Sequence, residues 1–470
     1  MKPDFVLAVM VVLLVCSASA EPPPALGSAP AEDIAQAHSI LKELVEINST
    51  HEFGSTGVAK AIEARLVAAN FPPEDVVFLA PPDHPTKGNL VVRLHGKSPD
   101  RKPLLFIGHL DVVEAKREDW SVDPFKLTEQ DGHFYGRGTT DMKNGDAVMI
   151  ESLIRLRREN FVPDRDLIFA FTADEEAGGD SNGPQWLLKT HHDLIDAQAV
   201  LNFDAGGGWL KGDLRQYYAL VTGEKVYTTF KMTATSPGGH GSLPRTDNPI
   251  ARIARAAVRL DAYRFPVTLT PTTKAYFAKM APLAEGPDQA DIAALAKNNP
   301  NLAVAERLST KSPYYHALLR TTCITTLISG GHAENALPQR AEATIQCRTM
   351  PSDSEENVER QLRKVVADPE IELKLDVAPI QAPESPLTPE IVNTVSDTVR
   401  DMWGNPPVIP TMAPYFTDGR QFRNAGMPTY GVNGVWMGEN RTHGKDERIP
   451  IRSFDESLEF SYRLIKAFGR

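Results

Sequence analysis

Cysteine is nearly absent from this chain. Only Cys16, Cys323 and Cys347 occur in 470 residues. Three thiols cannot build a disulfide scaffold, and their spacing is not that of a zinc knuckle. An oxidising compartment would permit a bridge between Cys323 and Cys347, but nothing in the sequence shows that the two meet. Long apolar runs are missing as well. The longest, Phe5 to Val15, is too short to span a bilayer as a permanent helix. Positive charge is in deficit, with 50 Lys and Arg against 61 Asp and Glu, a net charge of −11. Phosphate backbones need a basic face, so nucleic acid is not the expected partner. Small substrates stay open, because one local cluster can oppose the net sign. Internal repeats are absent. Gly136 to Thr140 is followed by Asp141 and by no Lys in the Walker position, which argues against a phosphate loop.

What is present is an ordinary globular composition, 41% hydrophobic and 24% charged. The chain is too long for one compact core, so two or three domains are expected. Residues 1–20 read as a cleaved secretory signal: Lys2, an apolar stretch from Phe5, then Ala18-Ser19-Ala20. The expected location is therefore periplasmic or secreted, with no lasting membrane anchor. Loss of Lys2 and Asp4 with the leader leaves the net charge unchanged.

Periodicity divides the rest. A helix is expected from Asp33, a good N-cap residue, with Ile34, Ala37, Leu41 and Leu44 on one stripe. A second runs from Val58 to Ala69 and stops at Pro72-Pro73. Strands are expected at Asn89–Leu94, Leu104–Ile107, Leu167–Phe171 and Ala199–Phe203, with a helix from Met142 to Arg158. This alternation indicates an α/β sheet with mostly parallel strands. From Gly223 the pattern changes to strands at 226–235, 321–329, 341–350 and 371–377 with helices at 249–260 and 354–366, an α+β module. The α/β pattern returns with helices at 389–403 and 454–468. The expected plan is a catalytic domain of residues 21–222 and 384–470, interrupted by an inserted domain of residues 223–383.

Three expected strands end in His or acidic residues. His109 and Asp111 stand two apart, so in an extended segment they face one side. Asp141 follows a Gly-rich loop, Glu175 and Glu176 follow the third strand, and Asp204 follows the fourth. His443 lies near the end of the chain. Taken singly each has a plain reading: a lone His after a strand is ordinarily a satisfied polar group, and Asp-Glu-Glu a solvated loop. Together, at successive strand ends, they have the imidazole and carboxylate chemistry of a hydrolytic metal site. Two metals sharing a carboxylate can activate one water.

At this point the chain resembles the metallopeptidase-20 family of dinuclear zinc exopeptidases and amidohydrolases. The matching segments are Gly108 to Val113, Gly136 to Lys143, Thr172 to Glu176, Asn202 to Asp204 and Gly238 to Ser242. Asn335 to Pro338, Thr417 to Arg420 and His443 to Glu447 complete them, in the family's order. The resemblance implies a zinc-exopeptidase-like catalytic domain interrupted by an α+β lid and dimerisation domain. It implies that His109 and Asp204 hold one Zn²⁺, Glu176 and His443 the other, and that Asp141 bridges both, with Mn²⁺ or Co²⁺ as substitutes. Asp111 would orient His109. Glu175 would be the general base. A cis peptide is implied after Asp141. His240 would stabilise the oxyanion, in many members from a partner subunit, and a homodimer is implied accordingly. Asn335 and Arg348, assisted by Arg420, would bind the substrate carboxylate.

One departure stands out. The stretch from Phe265 to Leu319 is longer than the compact lids of the small deacetylases. It is similar to the Gly-X carboxypeptidase and N-acyl amino acid hydrolase branch, and it leaves the dimer geometry open. The expected activity is hydrolysis of an amide bond beside a free carboxylate. The substrate is a short peptide, cut as by a carboxypeptidase or dipeptidase, or else an N-acyl amino acid.

Overall fold

The computed structural model describes residues 26–297 and 301–470. The expected signal at 1–20 lies outside them. Among the described residues no helix is long and apolar enough to cross a membrane.

The centre is a ten-stranded mixed sheet. Its parallel core is Leu167–Thr172, Leu104–His109, Ala199–Asn202 and Thr429–Gly431, side by side in that order. Asn89–Leu94 and Val76–Leu79 extend one edge antiparallel. Leu214–Glu224 extends the other, pairing with Gly207–Lys211 and, in parallel, with Val408–Ala413. Leu104–His109 and Leu167–Thr172 are buried at every position, as expected of central parallel strands covered on both faces. One face packs on the helices Ala31–Glu46, Lys143–Arg158, Pro389–Trp403 and Ile451–Phe468 through Leu41, Met149, Val395 and Phe460, among others. The other packs on shorter helices through Leu187, Ile195 and Phe422. Covering helices on both faces force the side-chain chemistry to the strand ends.

Asp33 does not cap its helix. The N-cap is Pro30, and Asp33 sits buried in the first turn, bound by Arg158 Nη2 at 2.5 Å. The hairpin at 207–224 and the strand Val408–Ala413 were not marked by alternation. Val408–Ala413 is buried on both faces and contains Pro410, which reads as a breaker in isolation.

Residues 226–377 hold a second, four-stranded antiparallel sheet, ordered Thr322–Gly330, Arg340–Thr349, Val226–Thr235, Glu372–Val377. Helices Pro249–Ala262 and Glu355–Val366 cover one face through Ile253, Leu260, Val358 and Leu362. Cys323 and Cys347 stand directly opposite each other on neighbouring strands and form a disulfide. Strand order, not residue spacing, brings them together.

The helices between Pro271 and Leu319 were expected to enlarge this lid. They pack instead on the catalytic sheet, where Tyr276, Phe277, Leu308 and Leu319 meet Tyr217, Ala219, Ile409 and Met412. The insertion therefore comprises a lid proper and a helical layer that belongs to the catalytic body.

Candidate active site

His109, Glu175, Glu176 and Asp204 reach the site at or just after the ends of parallel strands, and Asp141 and His443 reach it from loops. Leu104–His109 delivers His109 as its last residue. The chain then turns through Leu110, whose carbonyl accepts the Ser49 hydroxyl at 2.7 Å. Leu167–Thr172 ends three residues before Glu175. Asp174 takes φ +55°, a left-handed conformation, and this kink lets the adjacent Glu175 and Glu176 both face the site. An unbroken strand would point them to opposite sides. The peptide between Asp141 and Met142 is cis, as the resemblance implied.

His109 Nε2 lies 2.9 Å from Asp141 Oδ1 and 3.6 Å from Asp204 Oδ1. His443 Nε2 lies 3.0 Å from Asp141 Oδ2 and 2.8 Å from Glu176 Oε1. Asp141 thus offers one oxygen to each half of the cluster. Potential ligand atoms of His109, Asp141 and Asp204 fall within 4.8 Å of one another, as do those of Asp141, Glu176 and His443. Two groups of mixed nitrogen and oxygen donors sharing one carboxylate fit a dinuclear centre. The electrostatics agree. Burial and the neighbouring charge of Asp141 push Asp204 up to about 7. Hydrogen bonds that the His443 ring donates to the carboxylates of Asp141 and Glu176 push His443 up to about 10. Carboxylates this crowded are stabilised by a cation.

Glu175 is buried, and among the described residues no group hydrogen-bonds to its carboxylate. Burial pushes its pKa well up, and the charges of Asp204, Asp418 and Glu176 add to this against the pull of His109. Asp111 was expected to orient His109 with its carboxylate. That carboxylate lies 3.7 Å from His109 Nδ1, and the hydrogen bond to Nδ1 is made by the Asp111 main-chain oxygen, at 3.0 Å. Its carboxylate accepts the backbone N–H groups of Glu175 and Glu176, each at 3.1 Å. Asp111 therefore holds the two glutamates as well as the imidazole.

A cavity of about 380 Å³ opens over the cluster. Asp141, Glu175, Glu176, Asp204 and His443 lie on one side, Arg348, Tyr415 and Phe416 on another. The Arg348 guanidinium stacks between Tyr227 (4.9 Å) and Phe416 (5.0 Å), and Arg420 stacks on Phe416 at 3.8 Å. Neither guanidinium has a carboxylate partner among the described residues, and Arg348 Nη1 and Arg420 Nε are buried without hydrogen bonds. His240 and Asn335 are not brought to this cavity. His240 lies exposed on the short strand Gly239–His240 and Asn335 in the turn before its partner strand Ala336–Leu337, where Gly241 N donates to the Asn335 carbonyl at 2.8 Å. His240 Nδ1 accepts the Ser242 amide N–H at 3.2 Å, which leaves the proton of the neutral ring on Nε2.

Glu447 was quoted in a motif without a role. It is fully buried and accepts from Arg137 Nη1 (2.6 Å), Gly138 N (3.2 Å), Thr140 N (2.7 Å), Thr140 Oγ1 (2.9 Å) and Asp141 N (3.2 Å). Arg137 reaches on to the His443 carbonyl at 3.4 Å. One carboxylate thus ties the loop of Asp141 to the loop of His443. Its only sequence signal is its place four residues after His443. Asp418 was also passed over. It accepts from Thr172 Oγ1 and Asn182 Nδ2, both at 2.9 Å, behind Glu175.

Known proteins share this architecture. The N-fatty-acyl-amino acid synthase/hydrolase PM20D1 of Xenopus tropicalis is 28% identical over 386 residues, 80% of this chain and 74% of that protein. The probable carboxypeptidase S-like 2 of Dictyostelium discoideum is 29% identical over 392 residues, with the same shares. Among solved structures, the M20 family metallo-carboxypeptidase Sso-CP2 from Sulfolobus solfataricus superposes with a TM-score of 0.67 at 16% identity, over 92% of this chain and 99% of that one. The di-peptidase Dug1p from Saccharomyces cerevisiae gives 0.66 at 17% identity, over 93% and 97%. Residues 105–467 match the profile of Peptidase family M20/M25/M40, a span that takes in every strand end described above, so the chain belongs to that family and is a metal-dependent hydrolase.

Proposed function

We propose that this enzyme hydrolyses the amide bond next to a free α-carboxylate, as a carboxypeptidase or dipeptidase on short peptides. One observation carries the reading. A single cavity holds the acid and imidazole cluster together with the unpaired Arg348 guanidinium. A planar guanidinium with spare N–H groups is suited to a carboxylate.

His109 and Asp204 would hold one Zn²⁺, and Glu176 and His443 the other, with an oxygen of Asp141 for each. When bound, the ions supply Lewis-acid polarisation of the scissile carbonyl and make water easier to deprotonate. Glu175 accepts the proton of the attacking water and returns it to the leaving amine nitrogen. Its place in the cavity beside the donor cluster supports both transfers. Arg348 holds the substrate carboxylate and so sets which amide bond meets Glu175.

His240 donates Nε2–H to the developing oxyanion, and Asn335 binds the carboxylate, both from a partner subunit. Two features support a homodimer. Both residues lie exposed outside the cavity of their own chain. The strand Thr322–Gly330 has a free edge with Ile324, Leu327 and Ile328 exposed, beside Ile250 and Val258 of the neighbouring helix. We propose that the enzyme works outside the cytoplasm, a reading that the disulfide supports.

A second reading is N-acyl amino acid hydrolysis. Tyr415, Phe416, Val435 and Met437 give the cavity an apolar wall that suits an acyl chain. The relative from Xenopus tropicalis is named for that substrate class.

The test is a zinc-loaded activity screen read by mass spectrometry. It uses short peptides, their C-terminally amidated forms, and N-acetyl and long-chain N-acyl amino acids, with Glu175→Gln as the control. Release of C-terminal residues from free-carboxylate peptides only, lost about 10²-fold or more in Glu175→Gln, is the expected result. Cleavage confined to acyl amino acids would replace the first reading with the second. Equal cleavage of amidated peptides would refute both.

A further inference from the structure

We infer that Lys87 is a positioning residue for Glu175: its buried ammonium locks Asp174 and so fixes the elbow that presents the base. The inference rests on the base role proposed above. Lys87 lies between the strands Val76–Leu79 and Asn89–Leu94, before the segment that matches the family profile.

The lock is built from the ammonium outward. Side-chain exposure is 6% for Lys87 and 1% for Asp174. Lys87 Nζ donates to Asp174 Oδ1 at 2.6 Å, to the His51 carbonyl at 2.7 Å and to His51 Nδ1 at 2.9 Å. All three of its protons are used. The other oxygen of Asp174 accepts the Ser181 hydroxyl. The Asp174 carbonyl accepts Asn182 Nδ2 at 3.2 Å and Gly178 N at 3.0 Å.

Why this bears on Glu175 follows from what holds each glutamate. Glu176 has His443 against its carboxylate. Among the described residues the Glu175 carboxylate has no hydrogen-bond partner, so the backbone sets where it points. That backbone is clamped at two places. Asp111 takes the Glu175 and Glu176 amides from the front. Lys87 takes Asp174 from behind. Asp174 has φ +55°, a region that a non-glycine residue occupies only when its surroundings hold it there. Without Lys87, the buried Asp174 carboxylate keeps only the Ser181 hydroxyl and the exposed His51 ring, whose Nδ1 lies 3.3 Å from Oδ1, in place of a buried ammonium. Relief comes by turning it toward solvent, which rotates the peptide that carries Glu175.

The test compares Lys87→Met and Lys87→Arg with wild type in the zinc-loaded holoenzyme. Expected for Lys87→Met is a kcat at least tenfold lower, KM within twofold, two metal equivalents retained, and faster amide exchange in the peptide spanning residues 173–182. Lys87→Arg, which restores the charge, should recover kcat to within threefold of wild type. Because the lock acts through Glu175, adding Lys87→Met to Glu175→Gln should lower the residual rate less than twofold. Lys87→Gln carries the same expectations as Lys87→Met and serves if that variant does not fold. An unchanged kcat, a kcat loss that tracks metal loss, or a full tenfold loss on the Glu175→Gln background would each overturn the inference. A wild-type rate in Glu175→Gln would instead sink the base reading, while amide exchange in Lys87→Met still reports on the lock by itself.

Discussion

Replacing Glu447 by Gln keeps the shape of the side chain and removes its charge. Glu447 is completely buried, and the Arg137 side chain beside it is 3% exposed. One carboxylate oxygen serves Arg137 and Gly138, the other serves Thr140 and Asp141. Whichever way the amide turns, its NH₂ faces N–H donors that had an acceptor. With the NH₂ toward Arg137, a buried guanidinium loses its partner, a change that typically costs 3–5 kcal/mol. With the NH₂ toward Thr140, three hydrogen bonds into the Asp141 loop are lost, at about 1 kcal/mol or more each. Both orientations loosen the loop whose last residue faces His109 and His443. Support groups of this kind change metal affinity by about 10- to 100-fold. The expected outcome is a metal-free protein destabilised by about 3 kcal/mol and a zinc affinity reduced by at least tenfold. Denaturant melts and a competition titration against a chelating dye would read the two. Wild-type stability together with two zinc ions bound at wild-type affinity would refute the claim that Glu447 organises the site.

Asp141→Ala should empty both halves of the centre, because each half uses one of its oxygens; two metal equivalents retained by elemental analysis would refute the shared assignment. Arg348→Ala should raise KM for free-carboxylate substrates about 10-fold or more, the usual worth of a charge-assisted pair, and leave amidated analogues unchanged; an equal loss on both would remove Arg348 from carboxylate binding. Glu151 is buried, its value is pushed up to about 8 mainly by burial and then by Asp33, and its ordinary value is 4.5. The folded state therefore holds this proton longer than the unfolded state, and stability falls as pH rises from about 4.5 to about 8, by up to about 5 kcal/mol. Glu151→Gln should flatten that decline in urea melts across the same range; an unchanged pH dependence would contradict it.

The parts of the site legible in the sequence are those attached to a pattern. His109, Glu175, Glu176 and Asp204 follow apolar runs that only a buried strand explains, and Asp141 follows a Gly-rich turn. Lys87, Asp418 and Glu447 have no such frame. Each is one charged residue whose partner lies far along the chain, and only folding reveals a salt bridge between residues 87 and 174. The same holds for Cys323 and Cys347, which face each other because of the order of four strands. The helical layer at 271–319 was misplaced for a related reason. Its apolar stripes show that it covers something, but a stripe does not say which of two sheets it covers. The strand Val408–Ala413 was hidden by Pro410, whose missing N–H matters less where the sheet's path ends.

The position of Thr429–Gly431 has a consequence for biosynthesis. This strand sits between Ala199–Asn202 and Leu214–Glu224 and is the piece that joins them into one sheet. Until the ribosome has released it, the nascent chain carries two separate half-sheets. His109, Asp141 and Asp204 can assemble on the first of these early. His443 and the clamp at Glu447 follow the joining strand in the chain. Without that segment the chain keeps four of the five clustered donors, His109, Asp141, Glu176 and Asp204, but neither the imidazole that faces Glu176 nor the carboxylate that ties down the loop of Asp141.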